Sequence, residues 1–149
     1  MAAHTRHDST SGVFFIRYTG EHSARDVEDV MDQLEQHEGL RDYSLFLVDL
    51  SQVLTSTLTK DDLRRLLARI SAYAQNCRIN REQPLLLAYF CPTPVAQNVG
   101  RAYGGSWSLQ PDFIALNGDR LADCAVFLGT SEEVAVTLMQ APLTSLPEG

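Results

Sequence analysis

Two stretches of consecutive, not alternating, apolar residues restrict this chain more than any other feature. They are "YSLFLVDLS" at residues 43–51 and "PLLLAYFCP" at residues 84–92. A strand with one wet face alternates apolar and polar side chains, whereas a strand covered on both faces has no reason to. Both stretches therefore read as central strands of a parallel sheet with helices above and below. Pro84 and Pro92 bracket the second, since proline cannot donate to an interior ladder.

The segments between them carry helical spacing. Val27, Val30, Met31 and Leu34 recur at i, i+3, i+4 and i+7, with Glu28, Asp32 and Glu35 on the opposite side and Gly39 as a stop. Leu63, Leu66, Leu67, Ile70, Ala74 and Cys77 form a second, longer stripe. Ser23 with Asp26 and Thr59 with Asp62 have capping-box spacing at the two helix starts. A third helix is expected from Pro94, fraying at Gly104 and Gly105, and a last one from Ser131 to Leu138. "GVFFIRYTG" (12–20) reads as a first strand and "DCAVFLG" (123–129) as a final one, while 106–121 fits a helical turn or a hairpin equally well.

The expected fold class is α/β: a single open, mostly parallel sheet of about four to five strands with packed helices. Domain organisation follows as a polar flexible leader at 1–11, one domain at 12–140 and an irregular tail at 141–149. A chain of 149 residues that is 44% hydrophobic is enough for one core.

The net charge of −7 disfavours attraction to nucleic acid or anionic membrane. Charge is segregated, however. Lys60, Arg64, Arg65, Arg69, Arg78 and Arg81 against Asp61 and Asp62 leave 60–81 at +4 and the remainder at −11. This is read as a solvated helix face balanced by the acidic first helix, with a docking surface for an acidic partner or phosphate as the sharper alternative. Cys77, Cys91 and Cys124 are odd in number and widely spaced, which suits a reducing compartment. No apolar run reaches membrane-spanning length, so a cytoplasmic protein without integral membrane association is expected.

Motifs for chemistry are missing from the sequence. It holds no phosphate-binding glycine pattern and no metal-ligand spacing of histidine or cysteine, so no catalytic residue, metal or cofactor is assigned. His4 and His7 are read as leader residues, and His22 and His37 as exposed residues flanking the first helix. Tyr103, Trp107 and Phe113 are read as partial core and not as a base-stacking platform.

"LFLVDLSQV" (45–53), the capped helix after it, and "AVFLGTSEEVAVTLM" (125–139) resemble the STAS superfamily, and within it the SpoIIAA-like family, over about residues 12–140. The resemblance implies a non-catalytic regulatory module that binds a protein partner or a small apolar or anionic ligand. In STAS switches the equivalent of 45–51 leads to a D-S-S-G-type turn with a phosphorylated serine. Here the stretch reads Thr55-Ser56-Thr57-Leu58-Thr59, without the Asp-Ser pair or the glycine. Ser56 is the nearest phosphoacceptor candidate, and capping or turn roles compete for these hydroxyls. Asp49, Ser51, Thr55, Ser56 and Thr93 are the candidate ligand or partner contacts, because they sit at expected carboxyl ends of strands. The alternatives are a phosphorylation-controlled, anti-sigma-antagonist-like switch through Ser56, and a structural homo-oligomeric subunit such as a homodimer.

Overall fold

In a computed structural model, which describes residues 3–77, 82–107 and 110–140, the chain forms one five-stranded sheet in the order β1-β2-β3-β4-β5. The strands are β1 (Ala3–Asp8), β2 (Val13–His22), β3 (Leu45–Ser56), β4 (Leu85–Phe90) and β5 (Phe113–Gly118). The helices are α1 (Ala24–Gln36), α2 (Lys60–Asn76), α3 (Pro94–Trp107), α4 (Leu121–Phe127) and α5 (Glu132–Gln140). Strands β2 to β5 are parallel, and β1 joins β2 as an antiparallel edge.

The strand order explains the layers. Each parallel crossover advances one place in the same direction, and right-handed crossovers that never reverse all fall on one face. Accordingly α1, α2 and α3 cover one side, where Phe14, Ile16, Phe46, Val48, Leu85 and Leu87 meet Val30, Leu66 and Tyr103. After β5, α4 and α5 cover the other side, where Val13, Phe15, Leu47 and Ala88 meet Cys124, Ala125 and Leu138. β2, β3 and β4 are thus buried on both faces, as their unbroken apolar runs require. A strand order that never reverses has no topological switch point, and the pocket at the carboxyl ends of β4 and β5, about 310 Å³ and lined by Cys91, Gln97, Arg101, Asn117, Gly118 and Asp119, is an open one.

Both capping boxes are formed. Ser23 Oγ accepts from Asp26 N–H while the Asp26 carboxylate accepts from Ser23 N–H at the start of α1, and Thr59 and Asp62 do the same for α2. Part of the basic stretch is balanced by the acidic first helix: Arg65 bonds Glu28, and Arg69 bonds both Asp32 and Glu35, all on α1. Arg78 and Arg81 lie outside the described residues, as does the tail at 141–149.

Four expectations need correction. The polar leader is strand β1 from Ala3, in register with Tyr18 back to Val13. Its turn closes on Gly12, whose φ of 74° lies in the left-handed region and whose N–H donates to Asp8 O at 2.9 Å. The Asp8 carboxylate also accepts from Thr10 and Ser11 N–H, and these bonds, those to Ser11 first, lower its pKa. "DCAVFLG" is helical and not a strand: Cys124, Ala125 and Leu128 are buried while Val126 is 78% exposed, a helical period that seven apolar residues conceal. The open segment resolves into β5, and α3 runs through Gly104 and Gly105 to Trp107 without fraying.

Leu47 is 1% exposed, but Leu86, opposite Leu45 in the β3–β4 ladder, is only partly buried, beneath the far end of the α4–α5 layer. Leu47→Ala is therefore expected to cost about 2 to 5 kcal/mol in urea unfolding. Leu86→Ala should cost clearly less. Equal losses for the two would contradict the uneven cover of that face.

Candidate functional site

Strand β3 runs on through Thr55 and Ser56 where a loop was expected, and only Thr57 to Thr59 connect it to α2. β3 continues past Asp49 to Ser56, paired with β2 as far as His22 opposite Ser56, while its pairing with β4 ends where Asp49 meets Phe90. Leu50 to Ser56 therefore project as a two-stranded β2–β3 ribbon beyond β4. Asp49 and Ser56 are separated by on the order of 20 Å along the strand. The candidates do not form one cluster.

Asp49 is buried in an ion pair. Its Oδ2 accepts from Arg17 Nε at 2.6 Å and its Oδ1 from Ser51 N–H at 2.9 Å. Arg17 also donates from Nη2 to Met139 O at 3.0 Å and lies 5.4 Å from the centroid of the Phe15 ring. The carboxylate thus clasps β2, β3 and the end of α5, and both its oxygens are occupied. Thr93 is likewise in use, its Oγ1 accepting from Ala96 N–H at the start of α3. Thr55 and Ser56 are exposed, with Ser56 Oγ accepting from Leu58 N–H at 3.3 Å. Leu54 beside them is 73% exposed.

The residue that the sequence reading misplaced is His22. Expected on the surface, it is completely buried at the end of β2. Its Nε2 lies 2.5 Å from Tyr103 Oη, and its ring meets Tyr18 edge-on at 4.4 Å. Tyr103 stacks on Tyr89 at 5.0 Å, and Tyr89 Oη accepts from Trp107 Nε1 at 2.8 Å. Trp107 in turn meets Phe113 edge-on, so the aromatic relay runs from β2 through α3 to β4 and β5. Phe14, Ile16, Tyr18 and His22 share even parity in the strand, and continuing the buried phase of "VFFIRY" through Gly20 would have placed His22 inside.

Burial disfavours charge throughout this relay. It lowers the His22 pKa to about 4 and holds the Tyr18, Tyr89 and Tyr103 phenols above their ordinary value. The thiols follow the same rule: burial first pushes Cys91 up to about 12 and Cys124 up to about 11. Both thiols donate weakly to Tyr89 O. Groups held this way are poor nucleophiles and poor general bases near neutral pH. Among the described residues no group of three or more His, Cys, Asp or Glu could hold a metal ion.

An apolar cavity of about 60 Å³ lies between the sheet and α1 and α2, lined by Ile16, Val30, Met31, Phe46, Tyr73 and Leu87 among others. Neither protein-family models nor curated proteins yield a match to this chain. No helix among the described residues is long and apolar enough to cross a membrane.

His22 makes stability depend on pH with a definite sign. Its folded pKa of about 4 lies below its ordinary value of 6.5, so the fold favours the neutral ring. That contribution is complete above pH 6.5 and is lost as pH falls towards 4. Urea unfolding should show a loss of about 3 kcal/mol across this window in the wild type. His22→Gln, which can still meet Tyr103, should show a visibly shallower decline. An identical pH slope in the two proteins would remove His22 as the cause.

Proposed function

We propose that this protein is a non-catalytic binding module of the STAS or SpoIIAA-like kind that docks a protein partner through the projecting β2–β3 ribbon. One observation carries the reading. β3 outruns β4 by seven residues, Leu50 to Ser56, and presents Leu54, Thr55 and Ser56 outward, an apolar side chain followed by two hydroxyls on a strand with no β4 partner at that height. Such a strand offers apolar contact and polar groups together, which strand-based recognition uses.

The non-catalytic part of the proposal is supported by the chemistry of the interior. The buried His22 and the buried thiols of Cys91 and Cys124 have pKa values displaced away from reactivity. Binding of a small apolar ligand in the cavity under α1 is a second reading, favoured by its predominantly apolar lining. At about 60 Å³ the cavity is smaller than one that accepts benzene, so this reading requires α1 to shift. A phosphorylation switch rests on Ser56 being the exposed hydroxyl at the ribbon's end.

Affinity capture with the wild type, Leu54→Asp, Ser56→Ala and Ser56→Asp separates these readings. Docking through the ribbon predicts that Leu54→Asp loses the partners retained by the wild type while the melting temperature stays nearly unchanged. Ser56→Asp should lose them where Ser56→Ala does not if the serine is a switch. Recovery of the same partners by all four proteins would reject the ribbon as the docking element.

A further inference from the structure

The two edges of the sheet are built differently. β1, the edge at the N-terminal side, carries Arg6 and Asp8 within its six residues. Charged side chains of this kind discourage another strand from pairing. β5, the opposite edge, reads Phe113-Ile114-Ala115-Leu116-Asn117-Gly118, with no charge and no proline. Among the described residues no strand pairs with its outer side.

Hydrogen-bond parity shows which groups this edge presents. Leu85 N–H donates to Asp112 O at 2.9 Å and Cys91 N–H to Gly118 O at 2.7 Å, so the even-numbered residues of β5 turn their backbone groups towards β4. A strand residue points its N–H and C=O to the same side, and successive residues alternate. Phe113, Ala115 and Asn117 therefore direct their backbone groups outward. On the α4–α5 face, Ile114 is 51% exposed and Leu116 half-buried.

We infer that a second copy of this chain pairs with the β5 edge, antiparallel and centred on Ala115, joining two sheets into one of ten strands. The edge is self-complementary in that register. Ala115 meets Ala115 of the second copy and Phe113 meets Asn117 in hydrogen-bonded pairs, while Ile114 meets Leu116 in the closer non-hydrogen-bonded pairs on the open face. Charge selects the same place. With a net charge of −7 two copies repel over most of their surface, and the strip between Asp112 and Asp119 is neutral. The register sets Asp112 opposite Gly118, so no two carboxylates face each other directly, and it brings the exposed Arg120 of each copy to the same end as Asp112 of the other. This assembly leaves the β2–β3 ribbon free and stands independently of the docking reading.

Sedimentation velocity of the purified full chain across a dilution series, with Ile114→Lys and Leu116→Glu alone and mixed, tests the pairing. The wild type should shift from dimer to monomer on dilution, and each variant alone should stay monomeric with an unchanged circular dichroism spectrum. The equimolar mixture should recover the dimer. In it the introduced lysine of one copy faces the introduced glutamate of the other in one pair, while the second pair keeps its native isoleucine and leucine. A wild type that is monomeric at every concentration, a dimeric Ile114→Lys protein, or a mixture that stays monomeric would each overturn the proposal. Should a variant fail to fold, hydrogen exchange on the wild type decides: the Ala115 and Asn117 amides gain protection with concentration if the edge pairs, and exchange that is independent of concentration rejects it.

Discussion

Burial of β2, β3 and β4 on both faces is the constraint from which the remaining architecture follows, because strands without a wet side must be covered twice by the same chain. The three crossover helices all fall on one side, since the strand order never reverses. They leave Val13, Phe15, Leu47 and Ala88 bare on the other. The chain after β5 has to supply that second cover, and α4 and α5 do so with Cys124, Ala125, Leu128, Ala135 and Leu138. α4 meets β5 but leaves Ile114 uncovered, and the same incomplete cover leaves Leu86 on the neighbouring strand half-buried.

The Arg17–Asp49 pair is best understood as a consequence of that double cover. Asp49 interrupts an apolar run and points to the α4–α5 side, where an unpaired carboxylate would be expensive. Arg17 on the neighbouring strand neutralises it, and Ser51 N–H satisfies the remaining oxygen. Buried pairs seldom exceed well-packed hydrophobic residues in stability, so its effect lies more in geometry. Through Met139 O the same guanidinium fixes where α5 ends, and a slip of β3 against β2 would part the charges.

The fold was legible in the sequence wherever burial was complete or a cap was local. β3, β4, the stripes of α1 and α2 and both capping boxes could be read because each depends on residues within a few positions of one another. β1 was hidden because an edge strand needs only alternate buried positions, here Ala3 and Thr5, among polar neighbours. α4 and β5 exchanged appearances: the helix is a short apolar run without a side-chain cap, and the strand has a Gly-ended sequence with only one deeply buried side chain before that glycine. For the site, residue type and position along the chain identified Asp49 and Thr93 but not that their polar atoms were already occupied. His22 was missed because its partner, Tyr103, lies 81 residues away on α3.

Burial of His22 at the end of β2 has a further consequence for the β2–β3 ribbon. His22 is packed against Tyr18 and Tyr103, which with Tyr89 and Trp107 tie together the junction of β2, β4, β5 and α3. A rigid junction holds the base of the β2–β3 ribbon, since His22 is both the end of that ribbon and the first member of the aromatic relay. Any partner that moved the ribbon would have to break the His22–Tyr103 hydrogen bond and expose an aromatic cluster. The ribbon is therefore suited to recognition as a preformed surface, in which binding does not pay for ordering the strand.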